Sequence, residues 1–215
     1  MDSQGKKLHG EAAHAREAGE HLKALQLADE AMLAYQQESN AAGFAEVLAD
    51  RSIVLRHLAE ETKDKNFLAL AKAEMEASVQ IAHSSLALYN LAKVEEALGE
   101  YSEAIKHYKE AISNQNSPAI IADYKVHLTT CEYKSGDKSA LDRAEQAISE
   151  LESSEEEKYS KDVWLSGGHM RIAAMLRGDD PTKAREHLKK AKEIIDANLD
   201  LKLRKGQFDK LAATF

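Results

Sequence analysis

Residues 88–111 read LYNLAKVEEALGEYSEAIKHYKEA, and their reading decides the fold. Alanine, leucine, glutamate and lysine, which lose little on entering a helix, dominate the stretch. Gly99-Glu100 interrupts it: glycine accepts the left-handed conformation that ends a helix, and an acid just beyond suits the positive start of the next one. After the interruption, Ala104, Tyr108 and Ala111 are spaced by four and then three, so their side chains share one helical face. Small residues on that face let a neighbouring helix approach closely. The stretch is an αα-hairpin.

Outward from it, the same trace of a small residue, a second residue four later and a small residue three after that recurs as Ala24-Ala28-Ala31, Ala71-Met75-Ser78, Ala140-Ala144-Ala147 and Ala184-Leu188-Ala191. Glycine-acid pairs precede three of these, at Gly19-Glu20, Gly136-Asp137 and Gly178-Asp179; ahead of Ala71, Asn66 stands where the glycine would be. Self-similarity of this kind marks stacked helical repeats. Hairpins are expected near 5–38, 42–83, 84–116, 117–153 and 158–197. Ser117-Pro118 and Asp180-Pro181 have the form of an N-cap followed by proline in the first turn. Leu201, Phe208, Leu211 and Phe215 recur at helical spacing, which predicts a capping helix near 199–213, weakened at Gly206. The charged stretch 151–158 reads as a solvated loop or helix start between the fourth and fifth hairpins.

The stretch read first resembles the tetratricopeptide repeat. Leu88 and Leu91-Ala92, Glu95, Gly99, Tyr101, Ala104, Tyr108, Ala111 and Pro118 follow that family's signature, with Leu88 at the tryptophan place, Ala92 at the glycine place and Glu95 where an aromatic is usual. Trp164-x2-Gly167-Gly168 is similar to the signature tryptophan and glycine. Successive traces are 47, 33, 36 and 44 residues apart, so only the middle units keep near the family period. The resemblance implies one all-α domain over residues 1–215, a right-handed superhelix of αα-hairpins whose first helices line a concave binding face.

Composition agrees with a helical protein. Hydrophobic residues make up 43% and charged ones 31%, with two prolines and no apolar run of signal-peptide or membrane-spanning length. A net charge of −8 argues against a general nucleic-acid or anionic-membrane binder. The basic residues of the last hairpin and tail, such as Lys183, Lys190 and Arg204, are interrupted by Glu186, Glu193 and Asp196. Cys131 is the only cysteine, so no disulfide framework is expected and a cytoplasmic location fits.

Chemistry is sparse. His127 lies one helical turn from Cys131, but two groups do not close a metal site, and buried packing is the plainer role of such a cysteine. Nine histidines form no compact ligand pattern, and neither a phosphate-cradling loop nor a nucleophile elbow is present. No cofactor and no metal are expected.

The repeat register puts His9, Arg16, Asp50, Arg56, His57, Tyr89, Asn90, Lys93, Glu96, His127, Tyr133, Lys134 and His169 on first helices, and these are the candidate partner-binding residues. Some family members hold a partner's C-terminal carboxylate with lysine, arginine and asparagine. Asn90 matches that asparagine, but Ala49, Ile53, Asp123 and His127 fill the other places, so the clamp is not carried over. The expected function is a non-catalytic scaffold for a protein or peptide. A self-assembling, homo-oligomeric module and a small enzyme or metal protein using Cys131 and His127 are its rivals.

Overall fold

Helices account for every regular element of residues 3–215, the part of the chain that the computed structural model describes. They are α1 (Gln4–Glu17), α2 (His21–Gln37), α3 (Ala41–Thr62), α4 (Asn66–Ile81), α5 (Ser85–Leu98), α6 (Tyr101–Ser113), α7 (Pro118–Lys134), α8 (Ala140–Ser153), α9 (Lys158–Leu176), α10 (Pro181–Ala197) and α11 (Lys202–Ala212). They form two compact units, the first running to Ala111 and the second spanning Ile112–Phe215.

In the first unit α1 packs on α2, α2 on α3, α3 on α4, and α4 and α3 on α5. In the second, α7 pairs with α8, α9 packs on both of these and pairs with α10, and α11 lies on α9 and α10. The small-residue traces lie in the seams. Every member, from Ala24 to Ala191, is at most 8% exposed, and Ala71, Ala104, Ala140 and Ala184 are closed off completely. Leu201, the N-cap of α11, and Phe208 within it pack with Met170, Leu188 and Ala191, covering an apolar face of α9 and α10.

Most caps follow from local sequence. Ser3, Asn40, Ser84, Ser117 and Asp180 each accept a hydrogen bond from a backbone N–H of the first turn they precede. Glu157, from the charged stretch, accepts from the N–H groups of Tyr159 and Ser160 and so starts α9. Gly19, Gly99 and Gly136 are left-handed, as the glycine-acid pairs predict.

Two turns depart from that expectation. Gly178 is not left-handed; α9 ends through hydrogen bonds from the N–H groups of Asp179 and Asp180 to the Leu176 carbonyl, and Asp180 immediately caps α10. Asn66 does not stand in for a glycine either. α3 runs on to Thr62, Lys63 takes the left-handed conformation, and Asp64 accepts from the Asn66 N–H at 2.9 Å, which makes Asn66 the first residue of α4. In both cases an aspartate side chain organises a turn that was assigned to glycine or asparagine.

Candidate functional site

In the first unit, α1 and α3 bring three of the candidate residues into direct contact. The Nε2 of His9 is 3.0 Å from Asp50 Oδ2, and an Arg16 Nη donates to Asp50 Oδ1 at 2.5 Å. Burial opposes the charge on Asp50, but the His9 hydrogen bond and the Arg16 charge outweigh it and hold this carboxyl below the ordinary carboxylate range. Arg16 also donates to Glu17 at 2.8 Å, so its guanidinium is fixed on two sides.

Further along α3, the His57 ring lies 5.6 Å from the ring of His21, and His21 faces Glu61 at 3.1 Å. Burial, with the positive Arg56 beside it, pushes the His57 pKa down. The Arg56 Nε is buried and has no hydrogen-bond partner. Arg16 belongs to the surroundings of both Asp50 and His57, so one electrostatic network joins His9, Asp50, Arg16, His57 and Arg56.

His9 also opens onto a cleft of about 550 Å³ between α1 and the start of α3, lined among others by Lys6, Tyr35, Gly43 and Glu46. Its ring meets Tyr35 edge-on at 6.2 Å. Tyr35 comes from α2 and reaches the cleft because α1 and α3 both present glycine to it. A Cβ built on Gly5 or Gly43 would lie 2.5 Å from the ring. Repeat register alone, which assigns binding to first helices, does not find Tyr35; Gly5 and Gly43, in the first turns of α1 and α3, gain their meaning only once both helices pack on its ring.

The candidates on α5 form a second cluster. Tyr89 and Asn90 are each only 8% exposed, because α5 buries an unbroken run from Ala87 to Ala92. α3 and α4 pack on it, and α6 meets it through the Tyr89–Tyr108 ring contact at 5.8 Å. Lys93 sits 4.9 Å over the Tyr89 ring, and the Tyr108 hydroxyl donates to Glu96 at 3.2 Å. Lys93 and Glu96 are half-buried.

In the second unit, His127 is buried one turn before Cys131, which has no exposed surface. Tyr133 is tied down: its hydroxyl donates to Asp179, and Lys138 lies 4.1 Å over its ring while also pairing with Asp179. Lys134 is exposed. His169 is 2% exposed at the base of a 330 Å³ pocket bounded by α8, α9 and α10, and its Nδ1 is 3.0 Å from the Nδ1 of His187. His187 lies on α10, a second helix, outside the first-helix register. Among the described residues, no three histidine, cysteine, aspartate or glutamate side chains converge in a way that would hold a metal ion.

The family profile of the tetratricopeptide repeat matches residues 85–117, which contain the α5–α6 hairpin. No curated protein matches in sequence. Among solved structures, BtubC (BKLC) from P. vanneervenii is similar with a TM-score of 0.64 and 19% identity, over 86% of this chain and 77% of that one. A variant of a putative kinesin light chain from Podosopora anserina, with nearly identical TPR-like repeats, gives a TM-score of 0.62 and 13% identity over 88% of this chain and 93% of that one. MamA gives a TM-score of 0.54 and 17% identity over 86% and 95% respectively. At such identities the likeness is one of fold.

Proposed function

We propose that this chain of tetratricopeptide-repeat fold is a non-catalytic scaffold that holds an extended segment of a partner protein against the first helices of its hairpins. In the first unit the binding surface comprises His9, Arg16, Asp50, Arg56 and His57 on α1 and α3, with Tyr89, Asn90, Lys93 and Glu96 on α5. In the second it comprises His127, Tyr133, Lys134 and His169. The observation that carries the reading is the His9–Asp50–Arg16 network, in which charged groups from two repeats are fixed beside an open cleft. Groups held by their neighbours lose little further entropy on meeting a ligand.

The enzyme reading loses support from Cys131, because a thiol with no exposed surface cannot reach a substrate. A buried free thiol also accords with a cytoplasmic location. No helix among the described residues is long and apolar enough to cross a membrane.

The test uses the exposed rim of the cleft. Wild type and a Lys6→Ala/Glu46→Ala variant of matched melting temperature are used to capture proteins from the source organism. At least one protein should be held by wild type and lost by the variant; identical captures from both would overturn this placement of the site. Self-assembly is the second reading, favoured by Leu199, just before the terminal helix, and Leu203, in its first turn, which are 85% and 55% exposed. Sedimentation at several concentrations separates the two, since a self-associating chain grows with concentration and a monomeric binder does not.

A further inference from the structure

We propose that His169 and His187 form an acid-sensitive latch between α9 and α10: one imidazole-to-imidazole hydrogen bond holds the helices together near neutral pH, and acidification forces the two rings apart and loosens α10. The latch belongs to the packing of the second unit and holds whatever the first-helix surface binds.

The geometry sets the protonation. With Nδ1 3.0 Å from Nδ1, ring centroids 5.2 Å apart and planes at 47°, one ring must donate and the other accept. A neutral imidazole has one N–H and one lone pair, so the two rings are opposite tautomers, one protonated at Nδ1 and the other at Nε2. A first added proton goes to the bare Nε2 of the donor ring and leaves the bond in place, now charge-assisted. A second has only the accepting Nδ1 to occupy. Two N–H groups then face each other between two cations, and the contact becomes repulsive.

The surroundings make the second step reachable without making it easy. From α8, Glu152 lies 3.9 Å from the Nε2 of His169, and Glu145 lies 3.9 Å from the Nε2 of His187; both carboxylates favour protonated rings. From α10, Glu186 acts in the same sense while Lys183 and Lys190 oppose it. α7 contributes Val126 beside Gly168, and α11 sets the Arg204 guanidinium, a further positive group, against Gly167, two residues before His169. Burial, followed by the positive His187 and Lys190, pushes the His169 pKa down to about 4. The pair therefore stays closed through mildly acidic conditions and opens below them. A metal chelate is a poorer use of the same rings, because their nitrogens aim at one another along a hydrogen bond and not at a common point beside it.

Hydrogen exchange on the full chain tests the latch, with protection factors corrected for intrinsic exchange. Between pH 7 and pH 4.5, the amides of α10 should lose at least tenfold in protection while those of α1 and α2 change by less than threefold. His187→Asn keeps a hydrogen-bonding group near the Nδ1 position that takes no proton in this range, and it should cut the loss in α10 to the smaller part that burial of His169 alone imposes. Unchanged α10 protection in wild type, or a full loss retained in His187→Asn, would overturn the proposal. Should that variant fail to fold, histidine titration by NMR in wild type decides: two linked steps for His169 and His187 are expected, and independent titration of both near the ordinary value of about 6.5 sinks the latch.

Discussion

Tyr35 sets the spacing of three helices in the first unit, since its ring from α2 lies against bare backbone of both α1 and α3. A methyl group added on either side meets the flat of the ring and not a flexible chain end, so the ring cannot yield to one helix without striking the other. Gly43→Ala or Gly5→Ala should destabilise the protein by about 1–3 kcal/mol, read from the urea midpoint. His169 makes the matching case for charge. Its folded pKa of about 4 lies below the unfolded value near 6.5, so the unfolded chain binds the proton more readily between these values. The stability that the neutral ring contributes is complete above pH 6.5 and is lost as pH falls towards 4, by about 3 kcal/mol in total. Urea unfolding of wild type and His169→Gln across this range should show the loss in wild type and a much flatter dependence in the variant. The sequence exposes neither effect, because Gly5, Tyr35 and Gly43, like His169 and His187, meet only through helix packing.

Helices on the two sides of each hairpin behave differently. The second helices, α2, α4, α6, α8 and α10, bury a narrow stripe of small residues, and this stripe is legible from steps of four and three. Ala104 and Ala111 have no exposed surface, so Ala104→Leu or Ala111→Leu should overpack the seam and cost about 1–3 kcal/mol. A control lies in α11, where Gly206 faces open space within a helix. There Gly206→Ala should raise stability by up to about 1 kcal/mol, and chemical denaturation of the three variants side by side gives the two signs. First helices are harder to read. α5 and α7 are packed on several sides, so Tyr89, Asn90, His127 and Tyr133, polar by composition, are mostly enclosed. A repeat register says which helix a residue lies on, but the neighbouring helices decide how much of its side chain meets solvent.

At the scale of the whole molecule, the net charge of −8 is the property a partner meets first. Under the proposed scaffold reading, a net-acidic chain should draw basic segments by a screened field, so raising sodium chloride from 0.05 to 0.5 M should weaken capture of such a segment several-fold, mainly through slower association measured by surface plasmon resonance. A flat response would assign recognition to uncharged contacts. The all-α repeat class, the small-residue seams and three of the glycine turns were determined by the sequence alone, because they depend on helical periodicity and on local backbone freedom, which act over a few residues. The meeting of His9, Arg16 and Asp50, the pairing of His169 with His187 and the enclosure of α5 were decided only by the tertiary structure. The hydrogen bonds among them join residues between 18 and 41 positions apart in the sequence, and no local preference specifies which faces of distant helices come within hydrogen-bonding reach.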